Sequence, residues 1–296
     1  MPAFFCNYLI TMNNKTLDIS SGKDAAYENF PVGSWLLPAA LRPHIAAFYQ
    51  FARAADDIAD SPDLSPDDKI AGLIRYEDTL AGKPTEGSPP PKAWQMAKSL
   101  EETKVSPQHC LDLLTAFKLD ATKLRYNTQQ ELFDYCQLSA APVGRYLIDL
   151  HFGFRSGNSG NYGPSDALCA ALQILNHVQD CQDDYQKLNR VYLPLNIMAT
   201  HCAKVEELSA AQASPSLRAC LDDILDSVDN LMREAAKLPT NLKSHRLAIE
   251  SQVIINIAKQ LSKKLRRNDP ILAQIKLSKP AYTACCIMGL FRSLIR

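Results

Sequence analysis

The chain has 296 residues, with 32 Lys plus Arg against 32 Asp plus Glu, so its net charge is zero. That balance leaves no overall field to recruit a polyanion, and no nucleic-acid partner is expected. Hydrophobic residues make up 46% of the chain and charged residues 22%, which is ordinary for a folded globular protein, and no stretch reaches the roughly 20 apolar residues that a membrane span needs.

Glycines number only 11, β-branched alternation is rare, and apolar residues recur at i, i+3, i+4 and i+7, so the chain reads as all-α. The opening MPAFFCNYLITMNNK has a short apolar run without a basic leader or a small-residue cleavage site, and residues 1–26 are expected to form an N-terminal extension in which Met12 is an alternative start. Helices are then expected over about 39–60, 66–82, 92–103, 107–122, 129–155, 165–187, 204–212, 215–236, 242–267 and 279–294. Pro and Gly interrupt the pattern in AGKPTEGSPPPKAW, residues 81–94, and RSGNSGNYGPSD offers Ser165 as the N-cap of the following helix. Neither loop demands a domain boundary. The nine cysteines are dispersed, with no Cys-x-x-Cys pair, which suits a reducing compartment and a cytoplasmic location. The last helix, in AYTACCIMGLFRSLIR, is apolar with basic punctuation; it reads equally as a membrane-surface helix and as a terminal helix docked on the body.

The first helix ends in FARAADDIAD, residues 51–60. At about 100° per residue, Tyr49, Arg53, Asp56 and Asp60 share one stripe, with Asp57 at its edge. Asp56 and Asp60 stand one turn apart and can together hold one side of a divalent cation; a solvated helix end, with Arg53 pairing Asp56 or Asp57, is the other reading. The spacing recurs in LQILNHVQDCQDDYQKLNRVYLP, residues 172–194, where Gln173, Asn176, Asp180 and Asp184 fall within about 80° of helix surface and Leu175 and Val178 lie opposite. Here the plainer alternative is a solvated face, with Lys187 or Arg190 pairing Asp183 and Asp184. Two such helices face to face make an oxygen-rich mouth that suits Mg²⁺, with waters and a substrate phosphate completing its shell.

At these residues the chain resembles the squalene/phytoene synthase family, all-α enzymes that join two prenyl diphosphates head to head. RAADDIAD resembles the family's first aspartate motif, QILNHVQDCQDDY its second, YCQLSAAPVGR at residues 135–145 the Tyr-Cys segment between them, and NRVYLP its helix exit. The likeness runs from about Tyr27 to Ser278. It implies a single-domain, isoprenoid-synthase-type helical bundle around a central cavity over residues 27–278, followed by a C-terminal helix at 279–296. Residue by residue, it implies Arg53 as a diphosphate contact, Asp56, Asp60, Asp180 and Asp184 as Mg²⁺ ligands, Gln173 and Asn176 as their polar neighbours, and Tyr135 as the catalytic-pocket tyrosine. Phe30, Tyr49 and Arg190 are counted with the substrate-binding residues. Tyr135 also fits core packing with a satisfied hydroxyl, and Phe30, Phe48, Tyr49 and Phe152 fit either core packing or an aromatic wall around a carbocation.

ENFPVGSWLLP, ADDIAD, SAAPVGR and NHVQDCQDDY resemble one branch of that family, whose members ionise presqualene diphosphate, rearrange the cation and let water capture it as hydroxysqualene for squalene and hopanoid synthesis. Pathway partner enzymes would supply the substrate and remove the hydroxyl. Two departures from other branches are AYENFP, where many members have His-Ser-x-Ser-Phe, and Gln179, where phytoene and dehydrosqualene synthases carry Arg. The alternative that the resemblance leaves is a head-to-head transferase making presqualene diphosphate, squalene, phytoene or dehydrosqualene.

Overall fold

A computed structural model of the chain describes residues 38–84, 87–153 and 159–294. Among these residues there are helices and no strand; one isolated bridge links Arg125 and Val191. Helix α1 (Arg42–Asp60) buries Ile45, Phe48, Tyr49, Ala52, Ala55, Asp56 and Ala59, a stripe at helical spacing that carries a carboxylate among its apolar groups. Helix α2 (Pro66–Leu80) starts on Ser65, whose hydroxyl accepts from the Asp68 amide, with Pro66 at the first helical position and Asp67 and Asp68 complementing the helix dipole. Helices α3 (Pro91–Thr103) and α4 (Gln108–Thr122) complete a first group. Phe48, Phe51, Leu73, Met96, Leu114 and Phe117 close its core.

Periodicity predicts one helix over 129–155, and the structure has two, α5 (Gln129–Ser139) and α6 (Ala141–Phe152). Pro142 is the cause: it has no N–H for the Leu138 carbonyl and its ring collides there, so the chain breaks at Ala140 and restarts with proline in the first turn. Then follow α7 (Ser159–Gln179), α8 (Cys181–Leu188), α9 (Leu195–Thr200), a 3-10 turn (Val205–Ser209), α10 (Pro215–Ala235), α11 (Leu238–Asn241), α12 (His245–Arg267) and α13 (Lys279–Leu294).

The helix expected over 165–187 is therefore also two, parted at Asp180 (φ −103°, ψ 10°). Ser165 is no N-cap; α7 begins earlier, and Ser165 is buried against α6 at Gly144, where an added Cβ would lie 2.3 Å from Ser165 Oγ and 2.8 Å from Cys169 Sγ. The helix expected over 204–212 is only the 3-10 turn, because the Glu207 carboxylate accepts from the Lys204 amide and the Ser214 hydroxyl and closes the turn locally.

Helix α7 is the axis of the molecule: it packs against α5, α6, α10, α11 and α12, and every residue from Pro164 to Cys181 is buried. Its apolar side chains join those of α10 and α12 in the larger of two cores. Any polar residue on this stretch is carried into the interior. Among the described residues, no helix is long and apolar enough to cross a membrane.

Candidate active site

The end of α1 and the turn that follows α8 meet through one arginine. Asp56 is 2% exposed, and Asp60, one turn on, is partly open. At the junction the Asp180 amide donates to the Asn176 carbonyl at 2.9 Å, and the Asp184 amide donates to the Asp180 carbonyl at 2.8 Å. The hydrogen-bond ladder thus crosses the break, and Asp180 and Asp184 remain one turn apart. Helix α8 ends on Asn189, whose left-handed backbone (φ 51°) turns the chain inward. Arg190 then donates from Nη1 to Asp60 Oδ1 at 2.6 Å and from Nη2 to the Ala59 carbonyl at 3.2 Å. This turn is anchored on the loop after α4: the Val191 amide donates to the Leu124 carbonyl, the Leu195 amide to the Tyr126 carbonyl, and the Arg125 guanidinium to the Asn189 carbonyl and side chain.

Arg190 is not on the surface with Asp183 or Asp184; Lys187 takes Asp183 at 2.8 Å. Arg53 reaches Asp57 at 2.8 Å and stands 3.8 Å from Asp56. Asp184 lies close enough to Asp60 for the two charges to interact, and Asp180 likewise to Lys276.

Beside the acidic groups stands a set of rings. Tyr126, Tyr135 and Tyr192 have centroids 5.3–5.5 Å apart, and the His177 imidazole stacks on Tyr192 at 3.7 Å. The Tyr135 hydroxyl donates to Asp120 at 2.8 Å, and the Tyr192 hydroxyl donates to the same carboxylate at 2.9 Å. Burial and the Asp120 charge push both phenols far above their usual range, so they stay protonated as donors. Sequence reasoning missed Asp120, Tyr126, His177 and Tyr192. A signal for Asp120 exists: it follows Leu113 and Phe117 at i+7 and i+3 on the buried side of α4.

Several buried oxygens have no hydrogen-bond partner: Oδ1 of Asp56, Oε1 of Gln173, Oδ1 of Asn176 and both carboxylate oxygens of Asp184. Such groups are costly to bury unpaired. Burial, helped by the neighbouring Asp60, pushes Asp56 up to about 8, and burial pushes Asp184 up to about 6. An all-oxygen set with these vacant acceptors fits a hard divalent cation. Among the described residues, no three His, Cys, Asp or Glu side chains already converge on a single metal position. His177 is kept neutral, because burial holds it well below the usual imidazole range; its Nδ1 accepts no hydrogen bond and stands 4.0 Å from Asp184.

Not every candidate joins this site. Phe48 stacks on Tyr146 at 4.0 Å within the first core, where Tyr49 is also buried. Phe152 lies at the end of α6, partly buried against the second core. Phe30 falls outside the described residues.

A family model described as squalene/phytoene synthase matches residues 24–282. A hydroxysqualene synthase from Rhodopseudomonas palustris is 39% identical over 94% of this chain and 93% of its own length, and one from Zymomonas mobilis is 38% identical over 88% and 86%. Among solved structures, a squalene synthase from Alicyclobacillus acidocaldarius superposes with a TM-score of 0.68 at 28% identity, covering 79% of this chain and 86% of that one. A dehydrosqualene synthase, at 20% identity, shares the fold with a TM-score of 0.72 over 88% and 90%.

Proposed function

Because the chain belongs to the squalene/phytoene synthase family, we propose that it converts presqualene diphosphate and water to hydroxysqualene and diphosphate, with Mg²⁺ as cofactor, in a cytoplasmic route to squalene and hopanoids. The observation that carries the reading is the group of partnerless buried oxygens supplied by both aspartate motifs. The choice of reaction within the family is supported by the names of its relatives at 38–39% identity.

The C–O bond to diphosphate breaks with both electrons leaving on oxygen, the cyclopropylcarbinyl cation rearranges, and a water oxygen forms the new C–O bond. Asp56, Asp60, Asp180 and Asp184 would hold Mg²⁺, which when bound would supply Lewis-acid stabilisation of the departing diphosphate. Arg190 and Arg53 add positive charge on the same side. The faces of Tyr126, Tyr135 and Tyr192 favour a cation, and the hydrogen bonds from Tyr135 and Tyr192 to Asp120 fix two of those rings in place. Gln173 and Asn176 have carbonyl oxygens available to hold the capturing water, while His177 Nε2 accepts from the Gln173 amide at 3.2 Å and its ring hydrogen stays on Nδ1 toward Asp184; the proton released on capture goes to the departed diphosphate.

The second reading, a head-to-head transferase, is favoured by phytoene synthases such as that of Thermus thermophilus, at 28% identity over 74% of the chain. Mass spectrometry of protein, Mg²⁺ and farnesyl diphosphate alone separates the two: the favoured reading gives no condensation product, and a presqualene or C30 product supports the transferase. Asp56→Asn and Asp180→Asn are each expected to lower turnover of presqualene diphosphate by about 10²-fold or more with unchanged circular dichroism. Full activity in both would remove the metal assignment.

A further inference from the structure

The neutral total conceals a division along the chain. Residues 251–296 carry nine Lys and Arg and a single acid, Asp269, whereas residues 1–250 carry 23 basic and 31 acidic side chains. Asp269 is turned inward, accepting from the amides of Ala213 at 2.7 Å and Ile271 at 2.8 Å. On α12, Lys259, Lys263 and Arg267 are exposed and lie within about 80° of helix surface. Lys279, at the start of α13, is exposed as well. The acids around this end are engaged or buried: on α10 Asp226 and Asp229 are paired with Arg266 and Asp222 with Arg218, Asp180 interacts with Lys276, and Glu250 is buried on α12.

Helix α13 packs on α12 through its small and polar side. Gly289 sits where an added Cβ would lie 2.3 Å from Val253 Cγ2 and 3.2 Å from the Val253 backbone, and Asn256 Nδ2 donates to the Cys285 carbonyl at 3.3 Å. The other side is apolar and open to solvent: Ile287 is 47% exposed, Met288 44% and Leu290 38%, and Leu272, in the preceding loop, is 67% exposed. No charged residue occurs between Lys279 and Arg292.

From this juxtaposition we propose that the α12–α13 hairpin docks on an anionic lipid surface, with Ile287 and Met288 entering the acyl boundary and Lys259, Lys263, Arg267 and Lys279 at the headgroups. An interfacial helix needs both an apolar face and basic residues, and each basic side chain near such a surface gives about a fivefold gain in partitioning. The acidic remainder of the chain is repelled by the same surface, so attraction and repulsion together set one orientation. The inference does not depend on the proposed reaction.

Co-sedimentation of the full chain with vesicles tests it, comparing phosphatidylcholine alone with phosphatidylcholine containing about 30% phosphatidylglycerol, at about 50 mM and about 500 mM NaCl. Binding to the anionic vesicles is expected to exceed binding to the neutral ones by about tenfold or more and to fall with salt. The double variant Ile287→Asp/Met288→Asp should bind about tenfold less or weaker still, with unchanged circular dichroism and melting. The triple variant Lys259→Glu/Lys263→Glu/Arg267→Glu should lose the preference for anionic vesicles. Absence of binding to either vesicle, or variants that bind like the parent, would overturn the proposal. So would a parent dimer, seen by sedimentation velocity, that Ile287→Asp/Met288→Asp converts to monomer, because a second copy would then be the occupant.

Discussion

Replacing Asp120 with leucine puts the tyrosine platform to a quantitative test. Asp120 is 2% exposed and accepts from two fully buried phenols, at 2.8 Å from Tyr135 and 2.9 Å from Tyr192. Its loss leaves the Tyr135 and Tyr192 hydroxyls to bond each other, which satisfies one donor and strands the other at about 1–3 kcal/mol, so the variant should lose about that much. The cost comes from the stranded donor, not from the missing carboxylate itself. Replacing both phenols as well, in Asp120→Leu/Tyr135→Phe/Tyr192→Phe, removes both hydroxyls and should recover most of the loss. Equilibrium guanidinium unfolding of the parent, the single variant and the triple variant measures both quantities. If Asp120→Leu costs less than about 0.5 kcal/mol, or the triple variant is no more stable than the single, the reasoning about this cluster fails.

Glu250 is buried on α12, and burial pushes it up to about 8 from its ordinary 4.5. Its folded-state affinity for a proton is raised, so the stability it supports is complete below about 4.5 and is lost as pH rises toward 8. Glu250→Gln should flatten the decline between pH 5 and 9 in urea unfolding by a few kcal/mol, and an unchanged slope would assign the decline to other groups. Gly144→Ala forces a methyl into the contact with Ser165 and Cys169, and should lower stability by about 1–3 kcal/mol despite alanine's better helix propensity. Equal or higher thermal stability would show that α6 and α7 can separate there at no cost.

The sequence exposed α1 clearly, because its apolar stripe and its carboxylates keep one helical register from Ile45 to Asp60. The Gln173, Asn176, Asp180, Asp184 ladder was legible for the same reason: α7 buries Gln173 and Asn176, and Asp180 and Asp184 are buried just beyond its end. Periodicity did not show the breaks at Ala140 and Asp180, since apolar spacing continues across both and only Pro142 marks the first. Arg190 was visible as a charge but not as the partner of Asp60, because that pairing depends on the left-handed turn at Asn189 and on the loop from Leu124 to Asn127. Asp120 went unread because one acid in an amphipathic helix looks like any solvated residue until its register against Leu113 and Phe117 is followed. His177 was hidden by its neighbours: the motif around it draws attention to carboxylates, while its role follows from stacking on Tyr192.

The central claim is that the carbon–oxygen bond of the substrate ionises and that water then fills the vacancy. Turnover of presqualene diphosphate in ¹⁸O-enriched water, with Mg²⁺ and without a nicotinamide cofactor, tests it directly. The account predicts hydroxysqualene whose hydroxyl carries the solvent label and unlabelled diphosphate. Unlabelled alcohol with the heavy oxygen in phosphate would place the cleavage at phosphorus, and a failure to form hydroxysqualene would contradict the account outright.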